Sequence, residues 1–229
     1  MVKYVSAIVT ETIHFRQRGR YKMGVEHEYS VIGHKRTKIA FWLAFLSGGV
    51  AGGLSVLAGL GAEHLKAIGA HNIPDLILWP VTGGAVFGVI FFIFDSVFWK
   101  IPFVSRMVGV PNVSGSWIVE GQSYDATERP TFAWKARIEI TQKYQKISIH
   151  LRTDSSESHS VTAAIIPEGR AGYRLIYSYR NTPKPGEPEL NPHLGHCELS
   201  FSPDLKTAQG HYFNSGGRFT HGTMNLERT

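Results

Sequence analysis

Two long uncharged runs near the front of the chain place the strongest constraint on its fold. They cover residues 39–62 and 76–94, which are 24 and 19 residues long. A helix rises about 1.5 Å per residue, so about 20 apolar residues cross the hydrocarbon core of a bilayer. The sequence therefore predicts two transmembrane helices, at 39–62 and 76–99, in a membrane segment that extends over residues 39–104.

Charge divides the chain around this segment. Residues 1–38 carry eight Lys or Arg against three Asp or Glu, whereas residues 111–229 carry thirteen against twelve. The short loop at 63–75 has one Lys against two acidic residues. Because basic residues stay on the cytoplasmic side, we expect both termini in the cytoplasm, a short periplasmic loop and a bacterial inner (cytoplasmic) membrane. The predicted parts are a basic cytoplasmic arm (1–38), the membrane segment (39–104), a linker (105–113) and a second domain (114–229).

The basic arm has two interpretations at this stage. In one, its cations contact anionic lipid headgroups. In the other, they are a plain topology signal on a partly disordered tail. The balanced charge of the remainder is not that of a nucleic-acid-binding coat, so no nucleic-acid partner is expected.

Small residues recur in both apolar runs at spacings that let membrane helices approach closely. They predict helix packing, either between subunits or between the two helices of one chain. The positions are Gly48, Gly52, Gly59, Gly84 and Gly88.

From residue 114 onward, apolar and polar residues alternate with a period of two, and turn residues interrupt the alternation at short intervals. No helical pattern separates the segments. The expected fold class is a membrane α-helical hairpin plus an all-β domain, an eight-stranded antiparallel up-and-down β-barrel of lipocalin-like type. The predicted strands are 114–121, 132–141, 146–153, 158–167, 173–181, 194–201, 207–214 and 218–226.

The long connections 122–131 and 182–193 fall at one mouth of such a barrel, which we expect to point away from the bilayer. Alternation places mixed aromatic and polar side chains inside the barrel near that mouth and apolar ones at the other end. This predicts a ligand cup; the alternative is an interior simply filled by Tyr and Trp around ordinary hydroxyl hydrogen bonds. The mouth residues are Trp134, Tyr179, Asn181, Tyr212, Asn214, Arg218 and Thr220.

These residue types fit a nucleotide-like ligand. Aromatic faces stack on bases, and Arg and Asn bind phosphates or base edges. Arg152 and Arg180 alternate outward but end near the mouth, where we expect their long side chains to reach a phosphate.

Catalytic and metal-binding patterns do not stand out. The chain has no GxSxG or P-loop, and His193 and His196 have no cysteine or carboxylate spaced with them. The single cysteine, Cys197, permits no internal disulfide and is expected to be an inert core residue. We therefore expect no enzyme, no cofactor and no metal site.

Four short motifs follow the predicted hairpin. They are G-x-W (Gly115 to Trp117), Y-x-N-x-P (Tyr179, Asn181, Pro183), H-x-G (His193, Gly195) and G-x-Y (Gly210 to Tyr212). In that order, behind two transmembrane helices, they make the chain resemble the two-TM β-barrel effectors of CBASS anti-phage systems, which are CD-NTase-associated proteins with a SMODS-associating β-strand-rich domain. The resemblance covers residues 39–229.

The resemblance implies a function. In that family a partner nucleotidyltransferase, the CD-NTase, senses phage and makes a cyclic dinucleotide. The resemblance implies that the barrel binds this cyclic dinucleotide and that the protein then forms a homo-oligomer. The homo-oligomer would disrupt the lipid bilayer of the inner membrane and kill the infected cell. Tyr179, Asn181 and Tyr212 are the mouth residues that coincide with family motifs. The alternative from the residues is a membrane-anchored lipocalin-like lipid-binding or scaffold protein.

Overall fold

The computed structural model describes residues 25–67, 83–186, 191–216 and 219–229. Most of the predicted arm (1–24), the predicted hairpin loop with the start of the second helix (68–82), residues 187–190 of a predicted long loop, and Gly217 with Arg218 lie outside the described residues.

The two apolar runs form helices α1 (Arg36–Ala67) and α2 (Gly83–Ser96), which pack against each other. By length and composition both can cross a membrane, over Arg36–Gly61 and Gly83–Lys100. A 3₁₀ turn (Phe98–Lys100) and a short helix α3 (Pro102–Val108) follow. The predicted linker is thus partly helical. Pro102 suits the first turn of α3, and Gly109 ends that helix with a left-handed φ of 71°.

The glycines of the helices do not make the contact between them. The buried side chains of the pair are Ser47 and Ala51 on α1 and Val86 and Phe94 on α2. A Cβ atom added at Gly48, Gly52, Gly59 or Gly88 would meet nothing within 4 Å, and Gly84 is exposed. The expectation that these glycines pack the two helices within one chain is therefore wrong. Packing between subunits stays a prediction.

Within the described residues, nine strands make up the β domain: β1 (His27–Val31), β2 (Gly115–Tyr124), β3 (Pro130–Gln142), β4 (Lys146–Arg152), β5 (Ser156–Pro167), β6 (Tyr173–Pro183), β7 (His193–Phe201), β8 (Thr207–Ser215) and β9 (His221–Arg228). Strands β2 to β9 correspond to the eight predicted ones. Each strand from β2 to β8 pairs antiparallel with the next in sequence. β2 also pairs with β9, so the sheet closes into a barrel.

The predicted count of eight strands was wrong, because β1 comes from the basic arm. β4 has seven residues and β5 has twelve, and they pair with each other only from His150 to Arg152 and from Glu157 to His159. The rest of β5 would be an open strand edge, which β1 fills. β1 runs antiparallel to β4, with His27 opposite Ile147, and parallel to β5, with Tyr29 opposite Ala163.

The carboxamide of Gln142, at the end of β3, joins three separate segments. Gln142 is fully buried. Its Nε2 donates to Tyr29 Oη of β1 at 2.9 Å and to the Pro111 carbonyl at 3.1 Å, and its Oε1 accepts from the Val113 backbone N–H at 2.9 Å. One side chain thereby holds both the strand that precedes α1 and the linker that follows α3. Burial also raises the pKa of Tyr29 to about 12, so its hydroxyl stays protonated.

The turn between β3 and β4 binds the start of α1 and the end of α2. The backbone N–H of Tyr144 donates to the Asp95 carbonyl at 3.0 Å, and that of Gln145 donates to Asp95 Oδ1 at 2.9 Å. Arg36, at the start of α1, donates to the carbonyls of Tyr29 and Gln145 at 2.6 and 3.2 Å. Its guanidinium also lies 4.8 Å from the centre of the Tyr29 ring. The helices are therefore fixed to one end of the barrel.

Replacing Gln142 with Met is expected to destabilise the protein, because the Val113 N–H and the Pro111 carbonyl would stay buried without their partner. Unsatisfied buried groups cost about 1–3 kcal/mol each, so two of them cost at least about 2 kcal/mol, and the Tm of the detergent-solubilised chain falls by at least roughly 4 °C. Gln209→Met, on an exposed position of β8, is the control and should change the Tm little. Equal Tm values for the two variants would contradict the role given to Gln142.

Candidate functional site

A cavity of about 350 Å³ opens at the end of the barrel away from the helices. Its floor is the packed apolar core, in which Trp117, Ile138 and Leu199 are fully buried. The volume lies within the range of small-molecule sites. The lining residues are Ser123, Phe132, Trp134, Ile149, Leu151, Thr153, Ser155, Ser156, Ser158, Tyr177, Tyr179, Asn181, His193, Tyr212, Asn214, Thr220 and Met224.

Six of the nine predicted site residues line this cavity: Trp134, Tyr179, Asn181, Tyr212, Asn214 and Thr220. Strand alternation located five of them correctly because they point inward from a regular ladder, whereas Thr220 lies just before β9 begins. Arg218 lies outside the described residues. Whether any of these side chains binds a ligand stays a prediction.

Arg152 and Arg180 do not reach the cavity, contrary to our expectation. Both are exposed on the outer face of the barrel, and neither is among the lining residues. Arg152 Nε donates to His150 Nε2 at 3.3 Å, and its guanidinium lies 3.7 Å from the Glu139 carboxylate. The outward position on the strand and the nearby Glu139 carboxylate therefore keep the Arg152 side chain on the outer face, although it is long.

Three aromatic rings of the cavity each lie across a glycine directly opposite on the neighbouring strand. The pairs are Trp134 with Gly121, Tyr179 with Gly195, and Tyr212 with Gly222. A Cβ atom added to these glycines would lie 2.2, 2.2 and 2.7 Å from the partner ring. One face of each ring is thus held against backbone, which leaves the other surface of the ring to line the cavity.

Hydrogen bonds fix the polar groups around these rings. Tyr179 Oη donates to Asn214 Oδ1 at 2.7 Å, and Asn214 Nδ2 donates to Thr220 Oγ1 at 2.8 Å. On the other side Trp134 Nε1 donates to Tyr212 Oη at 3.3 Å, and that hydroxyl lies 2.8 Å from Ser123 Oγ. These bonds connect β6, β8 and the segment before β9 in one network, and β2, β3 and β8 in another.

Serines of β5 form a polar strip that the sequence analysis missed. Asn181 Nδ2 donates to Ser156 Oγ at 3.1 Å and to Ser158 Oγ at 2.9 Å. Ser156, Ser158 and Ser160 recur at period two, which was a readable signal for an inward polar face. His193 was also missed as a cavity residue, although it stands in the H-x-G motif.

Two groups deep in the barrel are held in their neutral forms. Burial raises the pKa of the Tyr177 hydroxyl well above its usual value and the pKa of the Cys197 thiol to about 12. Cys197 is fully buried and opposite Tyr177 on the adjacent strand. The prediction of a core cysteine is confirmed for its position, and at neutral pH its sulfur is a thiol and not a thiolate.

Comparison with known proteins identifies the class of protein to which the chain belongs. Residues 108–228 match a family model described as "Cap15, cyclic dinucleotide receptor domain", and residues 37–100 match one described as "Cap15, TM helices". The two matches together define a membrane-bound receptor for cyclic dinucleotides.

The chain belongs to the Cap15 family. It is 38% identical over 205 residues to CD-NTase-associated protein 15 of Yersinia aleksiciae. That alignment covers 88% of this chain and 97% of the relative. The resemblance noted from the motifs is thereby confirmed.

Gly195→Ala tests whether the glycine sets the position of the Tyr179 ring. The added methyl group would overlap the ring, so we expect a loss of about 1–3 kcal/mol in stability and a changed near-UV circular dichroism signal from tyrosine. The far-UV spectrum should persist. Ser200→Ala, on an exposed position of the same strand, is the control. An unchanged Tm and near-UV spectrum for Gly195→Ala would show that the ring is not held by this contact.

Proposed function

We propose that this chain is a membrane effector of a CBASS anti-phage system, and that its barrel cavity binds a cyclic dinucleotide second messenger made by a partner CD-NTase. The observation that carries the proposal is the row of glycine-backed aromatic rings beside fixed hydroxyl and amide groups, in a domain that matches the receptor family. In this proposal ligand binding causes the chain to oligomerise, and the assembled helices disrupt the inner membrane and cause abortive-infection cell death.

The cavity offers two kinds of contact to such a ligand. Trp134, Tyr179 and Tyr212 present ring surfaces on which bases stack, each contact being worth about 1–3 kcal/mol. The serines of β5 and Asn181 present hydroxyl and amide donors suited to phosphate oxygens or base edges. We propose that Arg218 adds a charged contact to the ligand, and that the protein binds its ligand without catalysing a reaction.

The position of β1 supports the proposed topology. β1 precedes α1, and the rest of the barrel follows α2, yet all nine strands belong to one sheet. The two flanks of the hairpin must therefore lie on the same side of the membrane. The basic excess before α1 favours the cytoplasm for that side, where a second messenger would be found.

The open glycine faces support helix association between subunits in the activated state. Gly48, Gly52 and Gly59 on α1 and Gly88 on α2 lie on exposed surfaces and are free of contacts that would obstruct a neighbouring helix. Close approach through small residues is a common way for membrane helices to associate.

Lipid binding is the second candidate, because Ile149, Leu151 and Met224 give the lower part of the cavity an apolar wall. In that case the barrel of the purified protein would carry a fatty acid or phospholipid. Mass spectrometry of organic extracts from the full chain distinguishes the two functions, since the receptor function predicts an extract without stoichiometric lipid from the cavity.

Ligand binding should be measured on the full detergent-solubilised chain, since a fragment that begins at residue 110 would lack β1. Titration against a panel of cyclic dinucleotides should give at least one saturable ligand. Tyr179→Ala should weaken its binding by roughly 10-fold or more, and Arg218→Ala should do so too. Tyr124→Ala removes a tyrosine outside the cavity and is the control. No binding to any member of the panel would overturn the proposal.

The double variant Gly52→Leu, Gly88→Leu tests the role of the open helix faces. We expect ligand affinity to be unchanged, because the cavity lies at the far end of the barrel, while toxicity in ligand-producing cells is abolished. Val56→Leu changes another exposed position of α1 and should leave toxicity intact. Full toxicity of the double variant would exclude glycine-mediated assembly as the cause of membrane damage.

A further inference from the structure

Three side chains of metal-ligand type meet on the outer face of the barrel, where β4 and β5 pair. His150 lies directly opposite His159 in the ladder. Glu157 precedes His159 by two residues on β5 and so points to the same face. The imidazole rings stack with centroids 4.0 Å apart and an interplanar angle of 22°. Glu157 Oε2 is 3.2 Å from His150 Nε2 and 3.8 Å from His159 Nε2. One donor atom from each of the three residues fits within 4.8 Å of the others.

This cluster is sheltered but incompletely hydrogen-bonded. The side chains of His150, His159 and Glu157 are only 13%, 17% and 26% exposed. Both ring nitrogens of His159 are buried and make no hydrogen bond to any residue that the structure describes. A buried imidazole with two unsatisfied nitrogens is unusual and calls for a partner.

We propose that His150, Glu157 and His159 form a binding site for a divalent transition metal of the Zn²⁺ class. Two imidazoles and one carboxylate are a donor set that such ions accept, with the fourth position open to water. Zinc lies about 2.0–2.2 Å from nitrogen and oxygen donors, so tetrahedral donors are about 3.4 Å apart. The donor atoms, which lie within 4.8 Å of one another, therefore need to close by up to about 1.4 Å through side-chain rotations.

The surroundings of the cluster are compatible with this chemistry. Arg152 Nε donates to His150 Nε2 in the metal-free arrangement. Because Arg152 is exposed and lies near Glu139, it can turn toward that carboxylate and release the nitrogen.

The site is separate from the ligand cavity but shares its wall. Leu151 and Ser158, the residues that alternate with the cluster, face the cavity from the same two strands. Beyond the His150–His159 pair, β4 and β5 diverge and β1 lies between them. A bound ion would therefore link β4 to β5 at the point where the two strands separate.

Metal binding should be tested on the untagged full chain in detergent after removal of metals with EDTA. We expect Zn²⁺ to bind by calorimetry with a stoichiometry that falls by one ion per chain in His159→Gln and in Glu157→Gln. Co²⁺ should give visible absorption bands of a tetrahedral site that are lost in the same variants. His211→Gln is the control: His211 is an exposed outer-face histidine 3.9 Å from a single glutamate, Glu198, and its loss should leave the site intact.

Thermal stability gives a second readout that does not depend on stoichiometry. Saturating Zn²⁺ should raise the Tm of the wild-type chain by several degrees, since the ion binds only where β4 and β5 are paired. The rise should be absent in His159→Gln and present in His211→Gln. The proposal would be overturned if His159→Gln kept both the bound ion and the Tm increase. It would also be overturned if the wild-type chain bound no Zn²⁺ at micromolar concentration.

Discussion

The buried carboxamide of Gln142 is the interaction on which the connection between barrel and membrane depends. Its three hydrogen bonds hold β1 before the first helix and the linker after the last. The adjacent turn adds the bonds to Asp95 and from Arg36. Because both ends of the hairpin are attached within four residues of one strand end, a movement of the barrel wall there reaches both helices together.

The shape of the cavity depends on backbone more than on side-chain volume. Each ring of the Trp134, Tyr179 and Tyr212 set lies against a glycine, where any larger residue would push it into the lumen. Glycine in a strand interior normally weakens a sheet, and the aromatic partner compensates by covering the exposed backbone. One of these pairs, Tyr179 with Gly195, joins two of the short motifs of the sequence, Y-x-N-x-P and H-x-G.

The sequence predicted those parts of the fold whose signals are local. Run length located the membrane helices, and period-two alternation located the eight strands from β2 to β9 and six cavity residues such as Tyr179 and Asn181. The failures involve contacts between distant segments. β1 has only five residues within a basic arm, and nothing in those residues indicates a parallel pairing with β5. The grouping of His150 with Glu157 and His159 depends on the β4–β5 register, which residue spacing alone does not provide.

The glycine-rich helices also show that a local sequence pattern does not determine contacts between distant segments. Their spacing predicts a surface suited to close approach, but spacing does not say which of two surfaces a partner will occupy. In the structure the contact between α1 and α2 uses Ser47 and Ala51, one position before each of the glycines Gly48 and Gly52. That shift of one residue, about 100° around a helix, decides which face is left open.

The insertion of β1 between β4 and β5 also links membrane insertion to folding. β1 is synthesised first, but its partners exist only after both helices have entered the membrane. A chain whose second helix did not return would hold β1 and β5 on opposite sides of the bilayer. Its barrel would retain an unpaired edge on β5, the kind of surface that chaperones and proteases recognise. Return of the chain across the membrane is therefore a condition for a complete barrel.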